Sequence, residues 1–251
     1  MKALSMASVS GYLLSLAEAM PYVGPYVSFN RFQYSRINQR RLEHLATLAL
    51  PIAGKQVLEL GAGIGDLTSF FLDRECRVVA VEGRRKNRRV FNQRYGSAAG
   101  IVRGDLDLPD TIDVDAADVV FCYGLLYHLR NPATLILWAA RQSKELFLVE
   151  TCVSLGTDEL VKPVVEPRWR GSQALGGRGS KPTRVWVFRR LQEVFEHVYV
   201  PATQPAHDEF PLDWRPSGSQ EGKLTRAIFI GSRYPLEGHR LMPELPMCQT
   251  R

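Results

Sequence analysis

The run Val57-Leu58-Glu59-Leu60-Gly61-Ala62-Gly63-Ile64-Gly65-Asp66 constrains the fold of this chain more than any other stretch. It passes from an apolar, strand-like segment through three alternating glycines to the start of a helix. Glycine reaches backbone angles closed to other residues, so this spacing allows a sharp turn and a close approach of backbone to a ligand. The pattern is G-x-G-x-G with an acid two residues ahead, which departs from the G-x-G-x-x-G of loops that hold a pyrophosphate. A strand turning tightly into a helix is the opening unit of an α/β sheet.

The rhythm continues downstream. Strands are predicted over 56–60, 77–82, 100–103, 118–123 and 146–150. Helices are predicted from 66–73, through a basic stretch ending at Tyr95, and over 132–142. Such alternation implies a parallel sheet with helices on both faces. The segment Cys152 to Pro182 breaks the pattern and carries Gly171, Gly176, Gly177 and Gly179, so it reads as a long functional or mobile loop. A helix capped by Thr183 follows, with Val185, Phe188, Leu191 and Phe195 inward, and 198–200 and 227–230 are closing strands.

Ahead of the glycine run, 3–20 reads as a helix, 22–30 as a loop with aromatic anchors, and 31–50 as an amphipathic helix stopped by Pro51 and Gly54. The expected organisation is a helical extension or lid over 1–50, one domain over 51–235 with an insertion at 152–182, and a tail over 236–251. The tail is expected to be loosely held, because Pro243 and Pro246 discourage regular structure.

At 45% hydrophobic and 23% charged over 251 residues, the chain is too apolar to be disordered as its main state. Its net charge is +6, from 25 Arg and 7 Lys against 26 acids. Arginine forks onto phosphate well, so the balance raises nucleic acid as a partner; a modestly basic surface is the alternative. Cys76, Cys122, Cys152 and Cys248 form no C-x-x-C pair, which speaks against a disulfide framework and for a reducing, cytoplasmic setting. Lys2 and the apolar stretch ending Ala17-Glu18-Ala19 superficially resemble a signal peptide, but Ser5, Ser8, Ser10, Gly11 and Ser15 interrupt it. No run approaches the ~20 apolar residues of a membrane span.

Four segments in order resemble the class I S-adenosylmethionine-dependent methyltransferases. Glu59 through Gly65 is similar to the family's first motif, an acid followed by G-x-G-x-G. Val79-Ala80-Val81-Glu82 ends the second strand on an acid, where the family binds the ribose hydroxyls. Gly104-Asp105-Leu106 is similar to the adenine-contacting segment, and Asp118 through Tyr127 to the fourth strand and its loop. The match spans about residues 54–151. It implies a Rossmann-like sheet of seven mostly parallel strands, helices on both faces, an N-terminal helical lid, and S-adenosyl-L-methionine as cofactor. The cofactor residues it implies are Glu59, Gly61, Ala62, Gly63, Gly65, Glu82, Gly83, Asp105, Leu106 and Tyr123. Apart from the resemblance, Tyr22, Phe29, Arg31 and Tyr34 read as a lid over the cofactor, with Arg31 pairing with the methionine carboxylate and core packing as the alternative for the aromatics.

An oxygen acceptor must lose its proton and an amine must be neutral, so a base is sought near the fourth and fifth strands. His128, Tyr123 and Glu150 are the catalytic candidates; for His128 a structural role beside the cofactor loop is the alternative. Tyr22, Tyr127, Arg184 and His207 are the candidates for holding the acceptor, and His207-Asp208-Glu209 reads as a polar turn over its pocket. No metal is expected. The leading reading is methyl transfer to N or O of a small, secondary-metabolite-like molecule. An RNA methyltransferase is the alternative: Gly124–Pro132 and Leu148–Thr151 resemble tRNA wobble-uridine methyl- and carboxymethyl-transferring enzymes, and Arg84–Arg89 could meet phosphates. A non-catalytic cofactor-binding subunit is the third reading.

Overall fold

Five parallel strands carry the centre of the molecule in this computed structural model, which describes residues 29, 32–215, 224–238 and 240–251. They are β1 (Gln56–Leu60), β2 (Arg77–Glu82), β3 (Ala99–Arg103), β4 (Ala117–Tyr123) and β5 (Ser143–Cys152). Antiparallel β9 (Arg226–Ser232), β8 (His197–Pro201) and β10 (Leu241–Met242) extend the edge beyond β5. The order is β10-β8-β9-β5-β4-β1-β2-β3. This is the mostly parallel Rossmann-like sheet expected, with eight strands among the described residues in place of seven; the addition is the two-residue β10.

The central strands are covered on both faces, so they read as continuous apolar runs. Leu58, Leu60, Val120 and Phe147 face one layer with α4 (Pro132–Gln142) and α5 (Arg184–Gln192). Val57, Val119, Phe121 and Leu148 face the other, with α1 (Phe32–Thr47), α2 (Ser69–Leu72) and α3 (Arg85–Tyr95). Thr183 caps α5 as expected, its Oγ1 accepting from Trp186 N. The helix expected over 66–73 is largely turns, and only α2 is helical.

Two expectations are corrected. The segment expected as a long loop over 152–182 contains an antiparallel hairpin, β6 (Val161–Val165) paired with β7 (Arg178–Pro182). Periodicity did not reveal it because four of the five β6 residues are exposed, leaving no buried face to alternate against. The tail is firmly tied rather than loose. Gln249 Nε2 donates to Pro201 O at 2.5 Å, and its Oε1 accepts from Trp214 Nε1 at 2.6 Å and Gln204 Nε2 at 3.0 Å. Proline removes a donor but leaves side chains nearby free to bond, which is how this tail is held. The expected helix over 3–20 and loop over 22–28, with Tyr22 and Arg31, lie outside the described residues. Among the described residues no helix is long and apolar enough to cross a membrane.

Gln249→Ala leaves the Trp214 indole N–H and the Pro201 carbonyl without these partners in a buried place. It is expected to destabilise the fold by about 2–3 kcal/mol, read by urea unfolding. An unchanged midpoint would show that the tail does not contribute to the domain.

Candidate active site

The loop between β1 and α2 turns on glycines with positive φ, among them Gly63 at 59° and Gly65 at 85°. A Cβ on Gly65 would lie 2.6 Å from the Tyr95 ring, so any side chain there collides. Gly63 N donates to Glu82 Oε2 at 2.9 Å, and Arg84 N to Glu82 Oε1 at 2.7 Å. The Glu82 carboxylate at the end of β2 is thereby aimed by two amides, while burial raises its pKa.

Glu59 sits behind this loop. Its Oε2 accepts from Thr68 Oγ1 at 2.6 Å, and burial pushes the carboxyl up to about 7. In this position Glu59 braces the loop from behind. Neither Glu59 nor the glycines Gly61, Gly63 and Gly65, nor Ala62, lines the two cavities that open beyond the carboxyl ends of the strands, where open α/β sheets bind ligands.

The smaller cavity, about 80 Å³, is lined by Glu82, Gly83, Asp105, Leu106, Leu125 and His128, and is closed by the 171–175 segment. It offers the carboxylates of Glu82, Asp105 and Asp107 beside the apolar Leu106, Leu125 and Leu129. The larger cavity, about 420 Å³, lies between α1, the hairpin and the start of β9. Tyr34 and Ile37 come from α1, Val164, Val165 and Glu166 from the hairpin side, and Tyr127, Cys152, Glu209 and Arg226 are among the other lining residues. Ser172 and Gln173 line both cavities.

His128 belongs to the smaller cavity. Its Nδ1 lies 2.6 Å from Glu166 Oε2, which also accepts from Ala174 N at 2.6 Å. That arrangement ties the strap over 166–175 to the loop after β4, and of the two readings of His128 it fits the structural one rather than the base. Arg84 strengthens the same strap by donating to the carbonyls of Arg168, Gln173 and Ala174, and Asn87 Nδ2 donates to Gly171 O.

Glu150 is fully buried beneath the larger cavity. Arg41 Nη2 donates to its Oε2 at 2.6 Å and Arg226 Nη1 to its Oε1 at 3.1 Å. Arg226 Nε reaches Glu209 Oε2 at 2.5 Å, and its Nη2 lies 3.5 Å from the Tyr127 hydroxyl. The structure thus corrects Glu150 from a reacting group to the anchor of Arg226. Tyr123 packs on Phe121 with centroids 4.3 Å apart, lines neither cavity, and is pushed up in pKa by burial. Arg184 is also corrected: it donates to Pro246 O and stacks 4.2 Å over Trp214, outside both cavities. His207 accepts from Glu209 N at 3.2 Å and supports the turn without lining either cavity.

Sequence reasoning missed Arg41, Arg226 and Glu166 as site residues, while Tyr34, read as part of a lid over the cofactor, lines the larger cavity. A signal existed for Arg41. It shares the apolar stripe of α1 with Ile37, Leu45 and Leu48, and a cation in such a stripe needs a buried partner. Among the described residues, no group of three His, Cys, Asp or Glu is arranged to hold a metal ion.

A family model described as "Methyltransferase domain" matches residues 30–201. Ribosomal RNA small subunit methyltransferase A of Anaeromyxobacter dehalogenans is 33% identical over 141 residues, 51% of this chain and 49% of that protein. The chain therefore matches about half the length of that curated relative. The N-terminal domain of EvdMO1, solved in the presence of SAH and D-fucose, superposes with a TM-score of 0.59 at 21% identity over 80% of this chain and 83% of that one. A Burkholderia thailandensis 1,6-didemethyltoxoflavin-N1-methyltransferase superposes with a TM-score of 0.52 at 17% identity over 92% of each chain. Magnesium protoporphyrin IX methyltransferase of Synechocystis gives 0.55 at 13% identity over 93% of this chain and 100% of that one. These likenesses show the fold.

Two outcomes check the electrostatics. Glu150→Ala strands two buried guanidiniums and is expected to cost about 3–5 kcal/mol of unfolding free energy; a loss below ~1 kcal/mol would mean that water reaches the pair. The raised Glu59 carboxyl keeps its proton when folded but loses it when unfolded between its ordinary value of 4.5 and about 7. Stability from this group therefore falls as pH rises through that window. Glu59→Gln should gain on the parent by ~3 kcal/mol between about pH 5 and about pH 8. Equal differences at both pH values would contradict the assignment.

Proposed function

The chain belongs to the methyltransferase-domain family, and on that premise we propose that it moves a methyl group from S-adenosylmethionine to an oxygen or nitrogen of a small-molecule acceptor. The observation that carries this reading is the pair of cavities meeting at Ser172 and Gln173. The larger, at about 420 Å³, falls within the usual range for small-molecule pockets.

The smaller cavity suits the cofactor's nucleoside in chemistry. The Glu82 carboxylate is an acceptor-only group for paired ribose hydroxyls, Asp105 can accept from an exocyclic amine, and Leu106 offers an apolar face to a ring. At about 80 Å³ it is smaller than a usual ligand pocket, so filling it requires the strap over 171–175 to lift. When bound, the cofactor supplies a methyl already activated on sulfur, which leaves the protein chiefly the task of placing the acceptor. Gly61, Gly63 and Gly65 shape the loop that holds Glu82, and Gly83 lines the same cavity.

Small-molecule chemistry is supported by the neighbours solved with D-fucose and with 1,6-didemethyltoxoflavin. It is also supported by the basic run. Arg84 bonds strap carbonyls and Arg88 bonds the carbonyls of Glu82 and Gly83, so these cations are engaged within the fold. The cysteines are free thiols, in keeping with a reducing, cytoplasmic setting. An RNA acceptor is the second reading, favoured by the half-length relative that bears an rRNA methyltransferase name.

A labelled-methyl assay on host RNA beside a host metabolite extract separates the two. Label is expected in the metabolite fraction. Label confined to RNA, with salt-sensitive RNA binding, would establish the other acceptor class. S-adenosylmethionine and S-adenosylhomocysteine should bind at micromolar level in calorimetry, and Glu82→Ala should weaken both by roughly tenfold or more, the worth of a charge-assisted bond. Absence of binding heat and of any thermal shift would remove the cofactor assignment.

A further inference from the structure

Glu209 is the carboxylate of the larger cavity that keeps an oxygen for a ligand. Its Oε2 is held by Arg226 Nε at 2.5 Å, and its side chain remains 28% exposed. The backbone adds a second clamp, because Arg226 N donates to Glu209 O at 2.7 Å. The other carboxylates around the cavity are engaged differently. Both Glu150 oxygens face guanidiniums and the residue has no exposed surface. Glu166 gives Oε2 to His128 and Ala174, while its Oε1 packs against Gly179.

The remaining lining groups are poor bases. Burial pushes the Tyr34 and Tyr127 phenols up, and pushes the Cys152 thiol up to about 11, so all three keep their protons at neutral pH. Lys181, Arg170 and Arg226 are cations. His128 is turned to Glu166 on the other cavity.

From this geometry we infer that Glu209 is the proton acceptor of the reaction, taking the hydrogen of an acceptor hydroxyl or amine placed against its Oε1, which has no hydrogen-bond partner among the described residues. The inference rests on the methyl-transfer reading of the same cavity. The acceptor's oxygen or nitrogen gains a bond to the methyl carbon, the carbon–sulfur bond breaks with its electron pair left on sulfur, and the proton passes to Glu209. A hydroxyl oxygen taking on a third substituent, or an amine nitrogen taking on a fourth, gains positive charge and becomes strongly acidic, so its proton passes to a carboxylate placed against it. Arg226 fixes the carboxylate plane and leaves one oxygen for this exchange.

The test uses the full chain, S-adenosylmethionine labelled on its methyl, a host metabolite extract as acceptor source, and calorimetric titration with S-adenosylhomocysteine. Glu209→Gln should lower labelled transfer by ~100-fold or more, the usual range for loss of a general base. Its affinity for S-adenosylhomocysteine should stay within about twofold of the parent's, a change below ~0.4 kcal/mol. Glu209→Asp should recover part of the transfer, since it keeps the carboxylate. Full transfer by Glu209→Gln would overturn the inference. A joint fall of transfer and of S-adenosylhomocysteine affinity, unrelieved in Glu209→Asp, would make the residue structural and would overturn it equally. Parent protein that binds S-adenosylhomocysteine and labels nothing would instead defeat the methyl-transfer reading itself, and this inference with it.

Discussion

The Glu150 carboxylate, buried at the carboxyl end of β5 with a guanidinium on each oxygen, is the interaction on which the lining of the larger cavity depends. It joins Arg41 of α1, 109 residues away, to Arg226 of β9, 76 residues away. Removing any one member would leave a charge in a place without water, which is far costlier than the net worth of the intact set. The ions are therefore kept together or lost together. Because Arg226 also reaches Glu209 and Tyr127, a carboxylate that never meets the cavity sets the position of the groups that do. Such a network gives little stability compared with an apolar core of equal volume. Its presence at the mouth of the sheet fits a task of orientation.

The hairpin supplies the opposite wall and has no such core beneath it. A two-stranded ribbon is marginal alone in water. This one is held by polar ties at its ends: Glu166 to His128, Arg84 to three strap carbonyls, and Ser154 Oγ to Lys181 O. Those ties cross between the cavities. Glu166 lines the larger cavity while bonding a residue of the smaller, and Ser172 and Gln173 line both. The strap therefore couples the walls of the two cavities.

What could be read from the sequence follows contact distance along the chain. Gly63 and Glu82 are 19 residues apart, one βα unit, and the glycine spacing and strand-ending acid announce them. The central strands are legible because burial on both faces leaves continuous apolar runs. The family resemblance extended the same local signals to Asp105 and Leu106, which the structure puts beside Glu82. Glu166 and Arg226 are different. Their partners lie 38 and 76 residues away, across a hairpin without alternation and across the sheet, and no local pattern names them. Arg184 misleads for the converse reason. It is a polar residue at an inviting position whose hydrogen bond turns it to the frame, to Pro246.

Four glutamates near the carboxyl ends of these strands have the same side chain and different tasks, and their partners account for the difference. Glu59 meets only the neutral Thr68 hydroxyl, so burial dominates and it tends to hold its proton; it serves as a donor-capable prop behind the glycine loop. Glu82 meets two backbone amides, which favour its charge against burial and keep it directed into a cavity. Glu150 meets two guanidiniums, and with both oxygens occupied it can only anchor. Glu209 meets one guanidinium at one oxygen, which fixes the plane and leaves the other oxygen without a hydrogen bond among the described residues, on the edge of the cavity. A reacting carboxylate needs both orientation and a vacant lone pair. Of the four, the partner pattern grants both to Glu209 on the side where the acceptor would lie.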